Sequence, residues 1–260
     1  ILHPDPLDIW IQDRENPLFL QEPYRPPSEG IVTDTDRANR LKIIEEQLDR
    51  VFLNADKSLN FEGITDRFIH RFFRDLETYL NEMQPDGGRA AIQQRLIDTL
   101  ERHRGDRIML IAHSMGTIVA YDVLMQMRPA VPIHTFVTLG SPLGLPQIVS
   151  RIHAAQRGTA PESSALRAPE GITHAWLNMA DPEDRVALDR TLADDYLPNA
   201  NGIRAEDHEI VNDYVLRGKR NPHKIFGYLR TPALAAVIGR FLKRKQGSGF
   251  LSRLLGALLD

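Results

Sequence analysis

There is no cysteine in this chain of 260 residues, and that absence removes disulfides, a thiol nucleophile and thiolate metal sites. An excess of one charge sign is missing too. Lysine and arginine total 32 against 35 aspartates and glutamates, a net of −3, so nothing suggests a nucleic-acid partner. No apolar run approaches the roughly 18 residues needed to span a bilayer. No signal peptide is visible, and the chain is expected in the cytoplasm, although residue 1 is isoleucine rather than methionine.

What is present fits a globular domain. Hydrophobic residues make up 42% and charged residues 26%, and this length supports one large α/β domain over 1–260. Six of the 17 prolines crowd into residues 1–30, so 1–33 reads as an extended arm. Residues 34–104 read as a helical segment. Asp34 or Asp36 can cap a helix striped by Leu41, Ile44, Leu48, Val51 and Phe52. A second helix carries Ile64, Phe68, Phe72, Phe73, Leu76 and Leu80, and a third carries Ile92, Leu96, Ile97 and Leu100. From 105 to 230 strand and helix alternate. VPIHTFVTL over 131–139 and THAWLNM over 173–179 read as strands, with a weaker one near 203–211. Such alternation means a parallel sheet flanked by helices, with functional loops at the carboxyl ends of the strands. The small, polar stretch 154–170 is expected to be a surface loop.

The most informative stretch is RIMLIAHSMGTIV over 107–119. An apolar run (Ile108, Met109, Leu110, Ile111) suited to a buried strand leads into Ala112-His113-Ser114-Met115-Gly116, and an apolar helix follows. A serine between small residues at a strand-to-helix turn is the setting of a nucleophile elbow: Ala112 and Gly116 leave room for the tight turn, and the helix N-terminus favours developing negative charge. The competing reading is an ordinary βα turn with Ser114 as helix N-cap.

AHSMG in this context resembles the elbow of lipase-like α/β-hydrolases, with Ala112 at the first glycine of G-x-S-x-G. Gly140-Ser141-Pro142-Leu143-Gly144 resembles the GSP-x-G loop of lipases and of deacylases acting on lipid-anchored substrates. The resemblance spans about residues 92–230. It implies an α/β-hydrolase fold, no metal, no organic cofactor and Ser114 as nucleophile. It also implies an oxyanion hole built on the Met115 N–H, and substrate contacts from His113 and Leu143. A glycine-rich loop for the second oxyanion donor is not visible, and at least one further strand is expected upstream of Ile1 to supply it.

The chain order serine, acid, histidine directs attention to His223 and His208. His223 follows Pro222 in a loop before a helix and can lean over the sheet edge, whereas His208 sits within the weak strand. His174 opens the strand whose far end carries the acids, so it lies at the wrong end of the sheet. His113 adjoins Ser114 and points away from it in a sharp turn. The acid must follow the THAWLNM strand, where Asp181 and Asp184 both qualify with Glu183 between them. The resemblance implies Asp184, leaving Asp181 to cap the turn.

These parts suit a serine hydrolase cleaving a small-molecule or lipid ester with an apolar acyl group. A thioesterase or amidase would use the same residues, and a non-catalytic hydrolase scaffold that only binds is the rival class. Residues 231–260 read as C-terminal helices. There a basic step at Lys243, Arg244 and Lys245 precedes a short apolar helix over 250–259, a candidate lid or peripheral membrane contact.

Overall fold

The computed structural model describes residues 88–127, 131–146, 148–149, 166–216 and 218–243, with 23–25, 42, 76 and 79 in addition. The expected arm apart from 23–25, the helix over 34–53 apart from Lys42, and most of the helix over 64–80 lie outside these residues, as do the C-terminal apolar helix and 150–165. Lys42, Leu76 and Tyr79 are helical.

Within the described residues the order is α1 (Gly88–Arg102), β1 (Ile108–His113), α2 (Met115–Met127), β2 (Ile133–Leu139), β3 (Ile172–Ala180), β4 (Ala205–Glu209), a small hairpin of β5 (Val215–Leu216) and β6 (Lys219–Arg220), α3 (Ile225–Leu229) and α4 (Pro232–Lys243). Strands β1 to β4 form one sheet in sequence order, and every pairing in it is parallel. The expected α/β architecture, a parallel sheet with flanking helices, is therefore what the chain adopts. Among the described residues β1 is one edge of that sheet.

Strand β2 has both faces covered, which is why it reads as a nearly continuous apolar run rather than an alternation. Its register with β3 aligns Phe136 with Trp176 and Val137 with Leu177, and so sorts neighbouring residues to opposite faces. Phe136 and Trp176 pack with Ile118, Tyr121 and Leu124 of α2 and with Tyr196. Val137, Leu139, Leu177 and Met179 pack with Tyr228 of α3 and with Leu234 and Val237 of α4. Helix α2 is buried on nearly every side, which explains its lack of a polar face. Its one acid, Asp122, accepts hydrogen bonds from Tyr79 Oη at 2.8 Å and Arg89 at 2.9 Å, fastening the preceding helical segment to the domain. The predicted stripe of α1 packs on the same core.

One expectation needs correction. The end of the 154–170 stretch is not a surface loop: Leu166 and Ala168 are buried, and Arg167 bridges to Leu197 in parallel. Their apolar side chains fill the core beside Tyr121 and Tyr196, which outweighs the polar character of the neighbouring sequence.

Candidate active site

Parallel strands deliver all their carboxyl ends to one side of the sheet, and four such ends converge here. Strand β1 ends in Ser114, β2 in Gly140 and Ser141, β3 in the loop carrying Asp181 and Asp184, and β4 in the segment carrying Asn212.

Ser114 has φ 55°, the sole positive φ of any non-glycine among the described residues. An L-residue adopts this conformation at a cost of about 1–2 kcal/mol, so surrounding contacts must hold it there. Its N–H donates to Leu139 O at 3.0 Å, and its carbonyl accepts from Thr117 N–H at 2.9 Å and from Thr117 Oγ1 at 2.7 Å. Thr117 Oγ1 also lies 2.9 Å from Ser141 Oγ, so the GSP segment braces the turn. Met115 opens α2, and its N–H is one of the first-turn amides that no intrahelical carbonyl can satisfy.

His223 and Asp184, 39 residues apart, are brought into direct contact. His223 Nδ1 lies 2.7 Å from Asp184 Oδ1 and 2.8 Å from Oδ2. A carboxylate accepts only, so Nδ1 carries the proton and Nε2 is the basic nitrogen of the neutral ring. Asp184 is fully buried. Burial opposes its charge, but His223, the Tyr228 hydroxyl and the Val186 N–H outweigh it and hold its pKa below the usual carboxylate range. Val186 N–H donates to Oδ1 at 2.9 Å and Tyr228 Oη–H to Oδ2 at 2.6 Å.

Asp181 does something else. It accepts from Glu183 N–H at 2.8 Å, capping the turn, and from the Asn212 N–H and the Arg220 guanidinium. Burial raises its pKa to about 6 against the pull of those partners, so it is ionised at neutral pH. Arg220 also pairs with Glu183 and donates to Asn212 O, tying the acid loop to the segment before the histidine.

The histidine loop is held from both sides. Asn212 Nδ2 donates to Pro222 O and Lys224 O, each at 2.8 Å, gripping the backbone on either side of His223. A Cβ at Gly227 would collide with that Asn212 amide, so only glycine fits there. His113 supplies the remaining link: its Nε2–H donates to His223 O at 2.8 Å, and the two rings lie 4.5 Å apart. Burial, reinforced by the neighbouring His223, pushes the His113 pKa down to about 3, so it stays neutral. This contact sets the histidine loop directly against the residue that precedes Ser114.

Gly140 closes the floor of the site. It has φ +52°, and a Cβ there would stand 2.6 Å from Asp184 Oδ2, 3.2 Å from His223 Nδ1 and 3.2 Å from Tyr228 Cε2.

Of the residues expected from sequence, Ser114, Met115, Asp184 and His223 thus gather at one end of the sheet, with Asp181 in the capping position. The two expected substrate contacts differ. His113 spends its N–H on the histidine loop, and Leu143 is 0% exposed within the core, where its carbonyl accepts from Tyr196 Oη. Leu143 has no surface left for a ligand because the GSP segment turns inward onto α2. His208 lies on β4 with its side chain 45% exposed, near Glu206. His174 lies near the amino end of β3, its ring tilted against that of His134 with centroids 4.4 Å apart. Sequence reasoning placed Gly140 only within the GSP-x-G loop and missed Asn212, Arg220 and Tyr228 as parts of the site. Tyr228 and Arg220 meet residues distant in sequence, so no local pattern marks them.

Residues 93–181 match the family model of Lecithin:cholesterol acyltransferase. No curated protein and no solved structure matches the chain. The matched span holds β1, the Ser114 turn, α2, β2, the GSP segment and β3, and it stops short of Asp184 and His223. With the four-stranded parallel sheet, it identifies an α/β-hydrolase fold of lipase-like kind, and an enzyme of the acyl hydrolase or acyltransferase type.

Proposed function

We propose that this α/β-hydrolase is a serine hydrolase that cleaves a carboxylic ester bearing an apolar acyl group through an acyl-enzyme. The observation that carries this reading is the buried His223–Asp184 pair, tied through His113 to a serine held at φ 55°. Strain at a single polar residue, maintained by three hydrogen bonds, is what an exposed nucleophile requires and what a plain helix cap does not.

In the proposed cycle Ser114 Oγ attacks the ester carbonyl carbon while His223 Nε2 takes the hydroxyl proton. The Met115 N–H stabilises the resulting oxyanion. Collapse breaks the bond to the alcohol oxygen, which leaves with the proton from His223 Nε2. Water then gives a proton to His223 and attacks the acyl carbon. The second collapse releases the carboxylic acid and returns the proton to Ser114. Throughout, Asp184 stays ionised and holds the imidazole in the Nδ1–H tautomer.

A fluorophosphonate probe tests this. The folded chain is expected to be labelled and Ser114→Ala to be silent; an unlabelled wild-type chain overturns the reading in favour of a scaffold that only binds. Loss of nucleophile or base typically costs on the order of 10⁶ in kcat without adding. Ser114→Ala, His223→Ala and the double variant should therefore be about equally inactive on p-nitrophenyl esters, with His208→Ala active.

A second reading, favoured by the matched family's name, is transfer of the acyl group to an alcohol instead of water. The two share every step up to the acyl-enzyme. Adding a long-chain alcohol to the ester assay separates them: transfer yields a new ester, and hydrolysis yields only the acid.

A further inference from the structure

Tyr228 sits in the short helix α3 directly after the histidine loop and is 0% exposed. Its hydroxyl has one proton to give. Since it accepts the Asp181 N–H at 3.1 Å, that proton goes to Asp184 Oδ2, at 2.6 Å. The distance is in the range of an O–H bonded to an ionised carboxylate. Burial and then the Asp184 charge push the phenol well above its ordinary pKa, so it remains a donor at any working pH.

The carboxylate is thereby fully subscribed. Oδ1 takes His223, the Val186 N–H and, at 3.4 Å, the Ala187 N–H, and Oδ2 takes His223 and Tyr228. A ring that merely filled the core would need no hydroxyl, and a buried hydroxyl without partners is costly. The surroundings are shaped to admit this one: the missing Cβ of Gly140 leaves space for both the Asp184 carboxylate and the edge of the Tyr228 ring.

We propose that Tyr228 is a positioning residue whose hydroxyl fixes the rotation of the Asp184 carboxylate and competes with His223 for its charge, setting how strongly the acid binds the base. As a statement about catalysis this rests on the serine-hydrolase reading; as a statement about the acid–base pair it does not. Removing the hydroxyl leaves Oδ2 to the imidazole alone. The Nδ1–H bond to Asp184 then strengthens while the carboxylate loses one of its anchors.

The experiment is proton NMR of the folded chain, reading the low-field Nδ1–H resonance, which His223→Gln identifies by its disappearance. In Tyr228→Phe that resonance should move further downfield. Installing 3-fluorotyrosine at position 228, a more acidic donor that keeps the Asp181 contact, should move it upfield. On an ester substrate, Tyr228→Phe should lower kcat about tenfold with little change in KM, and raise the acidic limb of the pH profile by about half a unit. An unmoved resonance in both variants, with only the melting temperature lowered, overturns the proposal and leaves Tyr228 as core packing. The resonance decides this whether or not the chain turns over substrate. Fluorophosphonate labelling, by contrast, tests only the hydrolase reading.

Discussion

Two aspartates three positions apart carry opposite assignments, and their partners explain why. Asp184 faces an imidazole and a phenol, while Asp181 faces a guanidinium and two backbone amides. Asp184→Asn should therefore cost roughly 10⁴ in kcat with the fold intact, by the measure of other triads. Asp181→Asn should act mainly on the melting temperature, because it loosens the tie through Arg220. Steady-state kinetics and thermal melts of both variants check this, and the reverse pattern would exchange their roles. His113 makes a second claim, about pH. Its folded-state pKa is depressed to about 3 from an ordinary 6.5. Below pH 6.5 the unfolded chain takes up a proton that the folded chain refuses until about pH 3. Stability should thus fall as pH drops through that window, on the order of 1 kcal/mol per unit. Asp184, also depressed, works the same way: its contribution is present above the ordinary carboxylate range and is lost as pH falls through its folded value. His113→Gln retains an amide donor for His223 O but cannot titrate. Its melting temperature should therefore vary less between pH 6.5 and 4 than the wild type's.

The strand ends matter as much as the side chains they present. Strand β2 stops in Gly140, whose positive φ and absent Cβ let Asp184, His223 and Tyr228 meet over the sheet. Gly140→Ala places a methyl 2.6 Å from Asp184 Oδ2 in a backbone conformation that L-residues avoid. The expected result is a loss of about 1–3 kcal/mol in stability together with a fall in kcat of at least tenfold. Urea melts and ester kinetics read the two effects; wild-type kinetics in the alanine variant would mean the Asp184–His223 pair has slack the geometry does not suggest. The turn after β1 shows the same economy. Its strain is balanced by the Leu139 carbonyl and by Thr117, residues that belong to the neighbouring strand and the following helix.

The sheet divides the core into two apolar clusters, one under α2 and one under α3 and α4. Leu124 belongs to the first and Leu234 to the second, and both are buried. Each truncation to alanine should cost about 2–5 kcal/mol. Sharing no cluster, the two should add within a few tenths of a kcal/mol. The sheet is common to both faces, so denaturant melts of each variant should still show one transition. Separate transitions, or strong non-additivity, would mean the faces are not coupled in this way.

Much was legible in the residues alone. Buried parallel strands announce themselves as short apolar runs because both of their faces must leave water, and β1, β2 and β3 were found on that basis. The Ser114 turn was visible because a strand, small residues and an apolar helix have to be adjacent in sequence to make it. The acid loop followed from β3, and His223 from its place after the last strand and before a helix. The family resemblance pointed to Asp184 over Asp181, and the fold adds the physical contrast: Asp184 is the carboxylate that meets an imidazole 39 residues away. Only the tertiary structure could recruit Gly140, Asn212, Arg220 and Tyr228, turn His113 toward the histidine loop, and sink Leu143 into the core. Local periodicity records which residues leave water; which polar atoms then face one another is decided by how the strand ends converge.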